Sequence, residues 1–242
     1  MIRRLFQARP KVLDPLEAYE LWAATYDDHE GNALLYAEQR TVYPLLRGIG
    51  LSDKSVLDAG CGTGRYLEML RDYNPGTLAG IDFAPAMLRV AKKKFSGSSV
   101  SLIGGRIDSI PFADHSFDFV LNTLALDHLP DLHAAVSELS RVLQSGGAMI
   151  ISLFHPNAKK LGWQRTFRPR PGTRHLYAAE YYGHDISSYL REFKISGLDV
   201  EQTIEPVVDE SLKPFYERAL RMDLYEASQG LPLLLVFRLR KR

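Results

Sequence analysis

Val56-Leu-Asp-Ala-Gly-Cys-Gly-Thr-Gly64 decides how this chain folds. Two apolar residues lead to Asp58, and glycines then occupy the alternate positions Gly60, Gly62 and Gly64. Tyr66-Leu-Glu-Met-Leu70 follows with amphipathic spacing. The pattern is a buried strand, a turn of bare backbone and the first turn of a helix. Glycine lacks Cβ, so such a turn takes positive φ and lets a ligand rest against its peptide groups. The helix start beyond it adds unpaired N–H groups and partial positive charge. The expected occupant is nucleotide-like or zwitterionic.

A diphosphate fits poorly. The dinucleotide pattern Gly-x-Gly-x-x-Gly needs its third glycine where this chain has Arg65. Asp82 ends a second apolar run, Leu78-Ala-Gly-Ile81, 24 positions after Asp58. An acid there, at the tip of the next parallel strand, can hold a ribose diol. At this point Asp58-Ala-Gly-Cys-Gly-Thr-Gly64 and Gly80-Ile-Asp-Phe-Ala-Pro-Ala-Met87 resemble the first two motifs of class I S-adenosylmethionine-dependent methyltransferases. Ile110-Pro-Phe112, Ser116-Phe-Asp-Phe-Val120 and Leu143-x-x-Gly146-Gly147 are similar to the later motifs, so the resemblance runs from about Ser55 to Phe154. Within the family the chain resembles the small-molecule, ubiquinone/menaquinone-methyltransferase-like "type 11" group. The resemblance implies S-adenosylmethionine as cofactor. It also implies an α/β, Rossmann-like fold with a seven-stranded, mostly parallel sheet, helices on both faces and an antiparallel last strand.

Composition agrees with one large globular unit of 242 residues, 45% hydrophobic and 24% charged. A net charge of +1 offers no general attraction to nucleic acid or to an anionic membrane. The single cysteine, Cys61, excludes a disulfide framework or cysteine metal cluster within the chain and points to a reducing, cytoplasmic compartment. No metal is expected, and no apolar run approaches a membrane span. The basic, acid-free opening Met1–Lys11 has a trace of transit-peptide character but reads as a solvated arm.

Period and punctuation place helices at Pro15–Ala24 and Leu34–Arg47, giving an N-terminal helical cap over residues 1–50. The methyltransferase domain occupies 51–242. Strands and helices alternate through Phe154, as a parallel sheet wrapped by helices requires. Residues 155–185, rich in Pro, Gly, Arg, His and aromatics, interrupt the rhythm and read as a lid insertion. Helix 186–196, strand 199–204, helix 212–228 and strand 233–239 complete the chain, the last inserting antiparallel beside its predecessor as the resemblance implies.

The carboxyl ends of the strands form the expected site. By resemblance, Asp58, Gly60, Gly62 and Gly64 line the methionine part of the cofactor, with Cys61 and Thr63 giving backbone only. Asp82 takes the ribose, Phe83 and Met87 pack the adenosine, and Asn122 offers its carbonyl to the ammonium. Relatives carry an adenine-binding acid where this chain has Arg106, which has no acceptor, so Asp108 or the backbone at Ile107 takes that place. Tyr19-x-x-Trp22-x-x-x-Tyr26 resembles the tyrosine-bearing cap of small-molecule members; Tyr19 and Trp22 read as packing and Tyr26 as a lid residue. Candidate bases are His128, His155 and His184. Phe154, Trp163, Tyr181, Tyr182 and Tyr216 are candidate walls of a substrate pocket.

The expected reaction is in-line methyl transfer to a small aromatic or apolar metabolite. Two rivals stand beside it. Trp163-Gln-Arg165-Thr-Phe167-Arg168-Pro-Arg170-Pro-Gly-Thr-Arg174 interleaves arginines and aromatics as an RNA-contacting patch would. The other is a cofactor-binding protein without catalysis, for which a damaged glycine turn would be the marker; the turn is intact.

Overall fold

The computed structural model describes residues 9–28, 32–170 and 172–242. The chain opens with a short strand, β1 (Lys11–Leu13), then helices α1 (Pro15–Trp22) and α2 (Ala33–Arg47). Asp14 caps α1 by accepting from the Glu17 N–H at 3.1 Å, with Pro15 in the first turn. The alternating region gives β2 (Ser55–Ala59), α3 (Arg65–Arg71), β3 (Thr77–Asp82) and α4 (Pro85–Lys94). It continues through β4 (Ser101–Gly104), β5 (Phe117–Thr123), α5 (Leu132–Val142) and β6 (Leu143–Phe154).

The insertion holds α6 (Pro156–Lys160), β7 (Arg165–Phe167) and β8 (Tyr177–Ala179). After it come α7 (Ile186–Ile195), β9 (Leu198–Ile204), α8 (Lys213–Arg218), α9 (Met222–Ser228) and β10 (Leu234–Lys241). The central sheet has seven strands in the order β4-β3-β2-β5-β6-β10-β9. Strands β4 to β6 pair in parallel, and β10 runs antiparallel between β6 and β9. Burial on both faces explains the unbroken apolar runs: Phe119, Val120 and Leu121, like Ile150 and Ile151, are sealed from solvent. One apolar cluster packs each face, with α5 and α7 on one side and α2 and α3 on the other.

Three expectations change. Residues 1–8 of the basic opening lie outside the described residues, but Lys11 is not a free arm: it begins β1, which pairs in parallel with β8, while β7 pairs antiparallel on β8's other edge. The N-terminal segment and the insertion therefore share one three-stranded sheet. The helix expected over 212–228 is broken into α8 and α9 at Leu220, which is 88% exposed and has φ +54°. A left-handed residue cannot propagate a right-handed helix. Finally, β6 starts at Leu143, five residues before the apolar run Ala148–Phe154, with Gly146 at φ +76° near a shift in register against β5.

Candidate functional site

Just past β2 the backbone N–H groups of Gly60 and Cys61 both donate to the Ile81 carbonyl, at 2.8 and 2.9 Å. That bends the chain over the tip of β3, with φ +85°, +54° and +83° at Gly60, Gly62 and Gly64. A Cβ at Gly60 would sit 2.6 Å from the Ala125 methyl, and one at Gly64 would sit 2.5 Å from the Phe95 ring. At Gly62 the space is open, and that residue lines the cavity at the carboxyl ends of the strands.

Asp82 organises the turn. Its Oδ2 accepts from the Gly62 N–H at 2.8 Å and its Oδ1 from the Ala84 N–H at 2.9 Å. Burial pushes its carboxyl up to about 6, against the pull of those N–H groups. A carboxylate has more acceptor sites than these N–H groups use, and Asp82 lines the cavity. Asp58 and Asn122 lie behind the glycine turn. Asn122 donates its Nδ2 to the Ala59 carbonyl at 2.7 Å, and its Oδ1 has no partner. Asp58 Oδ1 is likewise buried and unpartnered, and burial pushes its carboxyl up to about 8. Buried acceptors are ordinarily satisfied. Two orphaned oxygens beneath bare backbone fit the ammonium of an amino-acid ligand.

Phe83, Met87, Arg106 and Ile107 continue the cavity beside Asp82. Arg106 grips Asp108 through Nε and Nη2 at 2.8 and 2.6 Å, which turns the Asp108 carboxylate to its own chain. Cys61 is buried, its thiol pushed up by burial, and its side chain does not line the cavity. Thr63 does more than its backbone implied: its hydroxyl donates to Asp27 Oδ1 at 2.7 Å, next to Tyr26.

The opposite wall is made by Tyr19, Tyr26, His128, Leu129 and Tyr182. His128 Nε2 lies 2.8 Å from both the Tyr19 hydroxyl and Arg165 Nη1, and its Nδ1 lies 2.5 Å from the Glu180 carbonyl. Arginine only donates, so Nε2 carries the lone pair and the Nδ1–H donates to Glu180. Burial lowers this imidazole to about 4, keeping it neutral. His155 caps α6, accepting from the Asn157 N–H, and donates to Glu205 at 3.0 Å. His184 donates to the Leu129 carbonyl at 2.9 Å and borders a separate surface cleft with Arg191 and Glu192. Neither lines the cavity.

Of the five aromatics expected to wall a substrate pocket, Tyr182 alone reaches the cavity. Phe154, Trp163 and Tyr181 pack on one another, and the Tyr181 hydroxyl donates to the Trp163 carbonyl at 2.8 Å. Tyr216 packs on Tyr225 in the same cluster. Apolar area, once available to a core, was used there. The arginine-rich segment divides as well: Arg165 is 4% exposed and Phe167 stacks on Trp22, leaving Arg168, Arg170 and Arg174 at the surface.

Sequence reasoning passed over Tyr19, Arg165 and the pair Glu38–Arg65. Tyr19 stands seven positions before Tyr26 in the sequence, which was the available signal, although α1 ends at Trp22 and Tyr26 follows in a turn. Glu38 is fully buried in α2; it pairs with Arg65 at 2.8 Å and accepts from Tyr66 and Ser152. Nothing local in the sequence marks that pairing.

A family model described as a methyltransferase domain matches residues 57–151. A malonyl-(acyl-carrier protein) O-methyltransferase of Serratia marcescens is 34% identical over 166 residues, 64% of each chain. A demethylmenaquinone methyltransferase of Listeria monocytogenes is 35% identical over 119 residues, 47% of this chain and 49% of the relative. The chain thus spans from about half to just under two thirds of the length of these relatives. In fold it is similar to an S-adenosylmethionine-dependent methyltransferase structure from Mesorhizobium loti, with TM-score 0.64, 19% identity and coverage of 86% of this chain and all of that one. Among the described residues, no helix is long and apolar enough to cross a membrane.

Proposed function

We propose that this chain, whose residues 57–151 match a methyltransferase-domain model, is a class I S-adenosylmethionine-dependent methyltransferase that transfers a methyl group to a small molecule held in the cavity between the glycine turn and the Tyr19–Tyr26 wall. The observation that carries this reading is the cradle itself: Asp82 gripping the Gly62 N–H above the two unpartnered oxygens of Asp58 and Asn122.

When bound, S-adenosylmethionine supplies an electrophilic methyl on a positively charged sulfur. Asp82 holds the ribose hydroxyls on its remaining acceptor sites. Phe83, Met87 and the Ile107 backbone would hold the adenosine. Gly60 and Gly62 let the methionine lie against backbone, while Asp58 and Asn122 take its ammonium. Tyr26 and the α1 segment close over the top and keep water out. Alignment of the acceptor and exclusion of water then supply much of the rate. No candidate histidine in the cavity wall has a free ring nitrogen, since both nitrogens of His128 are engaged.

The curated relatives act on a carrier-bound malonyl group and on demethylmenaquinone, both consistent with a non-polymeric acceptor. The RNA reading loses force because Arg165 and Phe167, the centre of its patch, are withdrawn into the protein. Calorimetry with S-adenosylmethionine and with NAD, followed by labelled methyl transfer to a panel of small molecules, tests the proposal. Uptake of NAD without the sulfonium compound overturns it. Binding without turnover on any acceptor favours a non-catalytic role.

A further inference from the structure

We propose that the methyl acceptor is a carboxylate, received by the Tyr19 and Tyr26 hydroxyls with the Arg165 guanidinium behind them. This rests on the methyltransferase reading and names the acceptor class of the same site.

Among the described residues two arginines are buried, and they differ. Arg65 has Glu38 at 2.8 Å. Arg165, 4% exposed, has no carboxylate within salt-bridge distance among the described residues. Its Nη1 donates to the Leu124 carbonyl at 2.7 Å and to His128 Nε2, and its Nε is buried with no partner at all. Asp127 adds negative charge from farther off, but both of its oxygens are unpartnered too, so it takes none of the guanidinium hydrogens. A buried guanidinium held in place by neutral acceptors leaves a local positive field for an anion to fill.

The two tyrosines carry that field into the cavity they line. Tyr26 lies within the field of the Arg165 guanidinium, and its hydroxyl can donate to a ligand in the cavity it lines. The guanidinium carbon also lies 5.9 Å over the Tyr19 ring. His128 Nε2 has one lone pair, and when Arg165 takes it the Tyr19 hydrogen is released for the same ligand.

The chemistry converges on the same answer. An ammonium or a phenol must lose a proton before it attacks, whereas a carboxylate is already a nucleophile at neutral pH. His128, His155 and His184 have their ring N–H or lone pairs committed to protein partners. The two wall carboxylates are tied to N–H groups, Asp14 to that of Glu17 and Asp82 to those of Gly62 and Ala84. In the proposed step a carboxylate oxygen bonds to the methyl carbon as the carbon–sulfur bond breaks, and its electron pair goes to sulfur. The products are a methyl ester and S-adenosylhomocysteine, and no proton moves.

The test uses the whole chain. S-Adenosylmethionine affinity is measured first by calorimetry. Protein saturated with S-adenosylhomocysteine is then titrated with aliphatic and aryl monocarboxylic acids and with half-thioesters of dicarboxylic acids, each beside its carboxamide. At least one acid is expected to bind at least about tenfold tighter than its amide. Arg165→Met abolishes that preference, Arg165→Lys retains part of it, and both keep S-adenosylmethionine affinity within about threefold. Labelled turnover gives methyl groups released by mild alkali, as esters are. No acid bound, equal affinity for the amides, or only alkali-stable product overturns the carboxylate. Should the wild type refuse S-adenosylmethionine, it is the methyltransferase reading that fails. If Arg165→Met does not fold, the acid–amide comparison in the wild type and in Arg165→Lys decides.

Discussion

The Thr63 hydroxyl donates to Asp27 Oδ1 at 2.7 Å, joining the glycine turn to a residue 36 positions earlier. Lys94 at the end of α4 meets the other oxygen of Asp27 at 2.8 Å. The floor of the cavity and the segment carrying Tyr26 are therefore tied by one carboxylate. Thr63→Val keeps shape and removes the donor, and is expected to cost about 1–2 kcal/mol of stability. S-Adenosylmethionine affinity should fall several-fold because Tyr26 is no longer held over the turn. Denaturation and calorimetry on the same sample check both; an unaltered affinity separates the clasp from binding.

Asp82 is expected to matter more. Asp82→Ala removes the partner of the Gly62 and Ala84 N–H groups as well as the proposed ribose acceptor. Affinity for S-adenosylmethionine should drop by about 1.5–3 kcal/mol or more. Titration of the variant with adenosine alone locates the loss: it should match that for the whole cofactor if the ribose is what Asp82 holds.

Burial raises Asp58 to about 8 and Asp82 to about 6 in the ligand-free protein, well above an unfolded carboxyl. The folded state then binds more protons than the unfolded chain between about pH 4 and 8, so stability falls as pH rises through that window. The slope is at most about 1.4 kcal/mol per pH unit for each group. Asp58→Asn should flatten the upper part, between about pH 6 and 8. Urea denaturation of the ligand-free protein at several pH values measures it, and an identical profile in the variant contradicts the assignment. His128 acts oppositely: held at about 4, it withdraws stability as pH falls from 6.5 toward 4.

Glu38 is buried among Arg65, Tyr66 and Ser152. Glu38→Ala leaves an uncompensated buried guanidinium and should destabilise the protein by about 3–5 kcal/mol. Glu38→Gln, which keeps the hydrogen-bonding atoms but not the charge, should cost less. Comparing their denaturation midpoints separates charge from hydrogen bonding.

Much of the fold was legible because strands buried on both faces are written as apolar runs and because glycines punctuate them. Thr77–Asp82 and Pro85–Lys94 follow the alternation of strand and helix that the sequence shows. The glycine turn and Asp82 were legible for the same reason: their chemistry is local. The far wall was not. Tyr19 reads as packing because a core face and a cavity face share one helical period, and its hydroxyl partner His128 lies 109 residues away. Arg165 reads as one of four surface arginines until β7 carries it inward. The aromatics of the insertion met each other rather than the cavity, since apolar contact alone does not specify which surface it covers.

Strand β1 comes from the N-terminal segment and β7 and β8 from the insertion after β6, yet the three pair side by side in one sheet. Grafting either piece alone onto a related scaffold would deliver half a doorway, with unpaired strand edges on show. Acceptor preference in this chain should be exchanged only as a matched set, residues 9–28 together with 155–185.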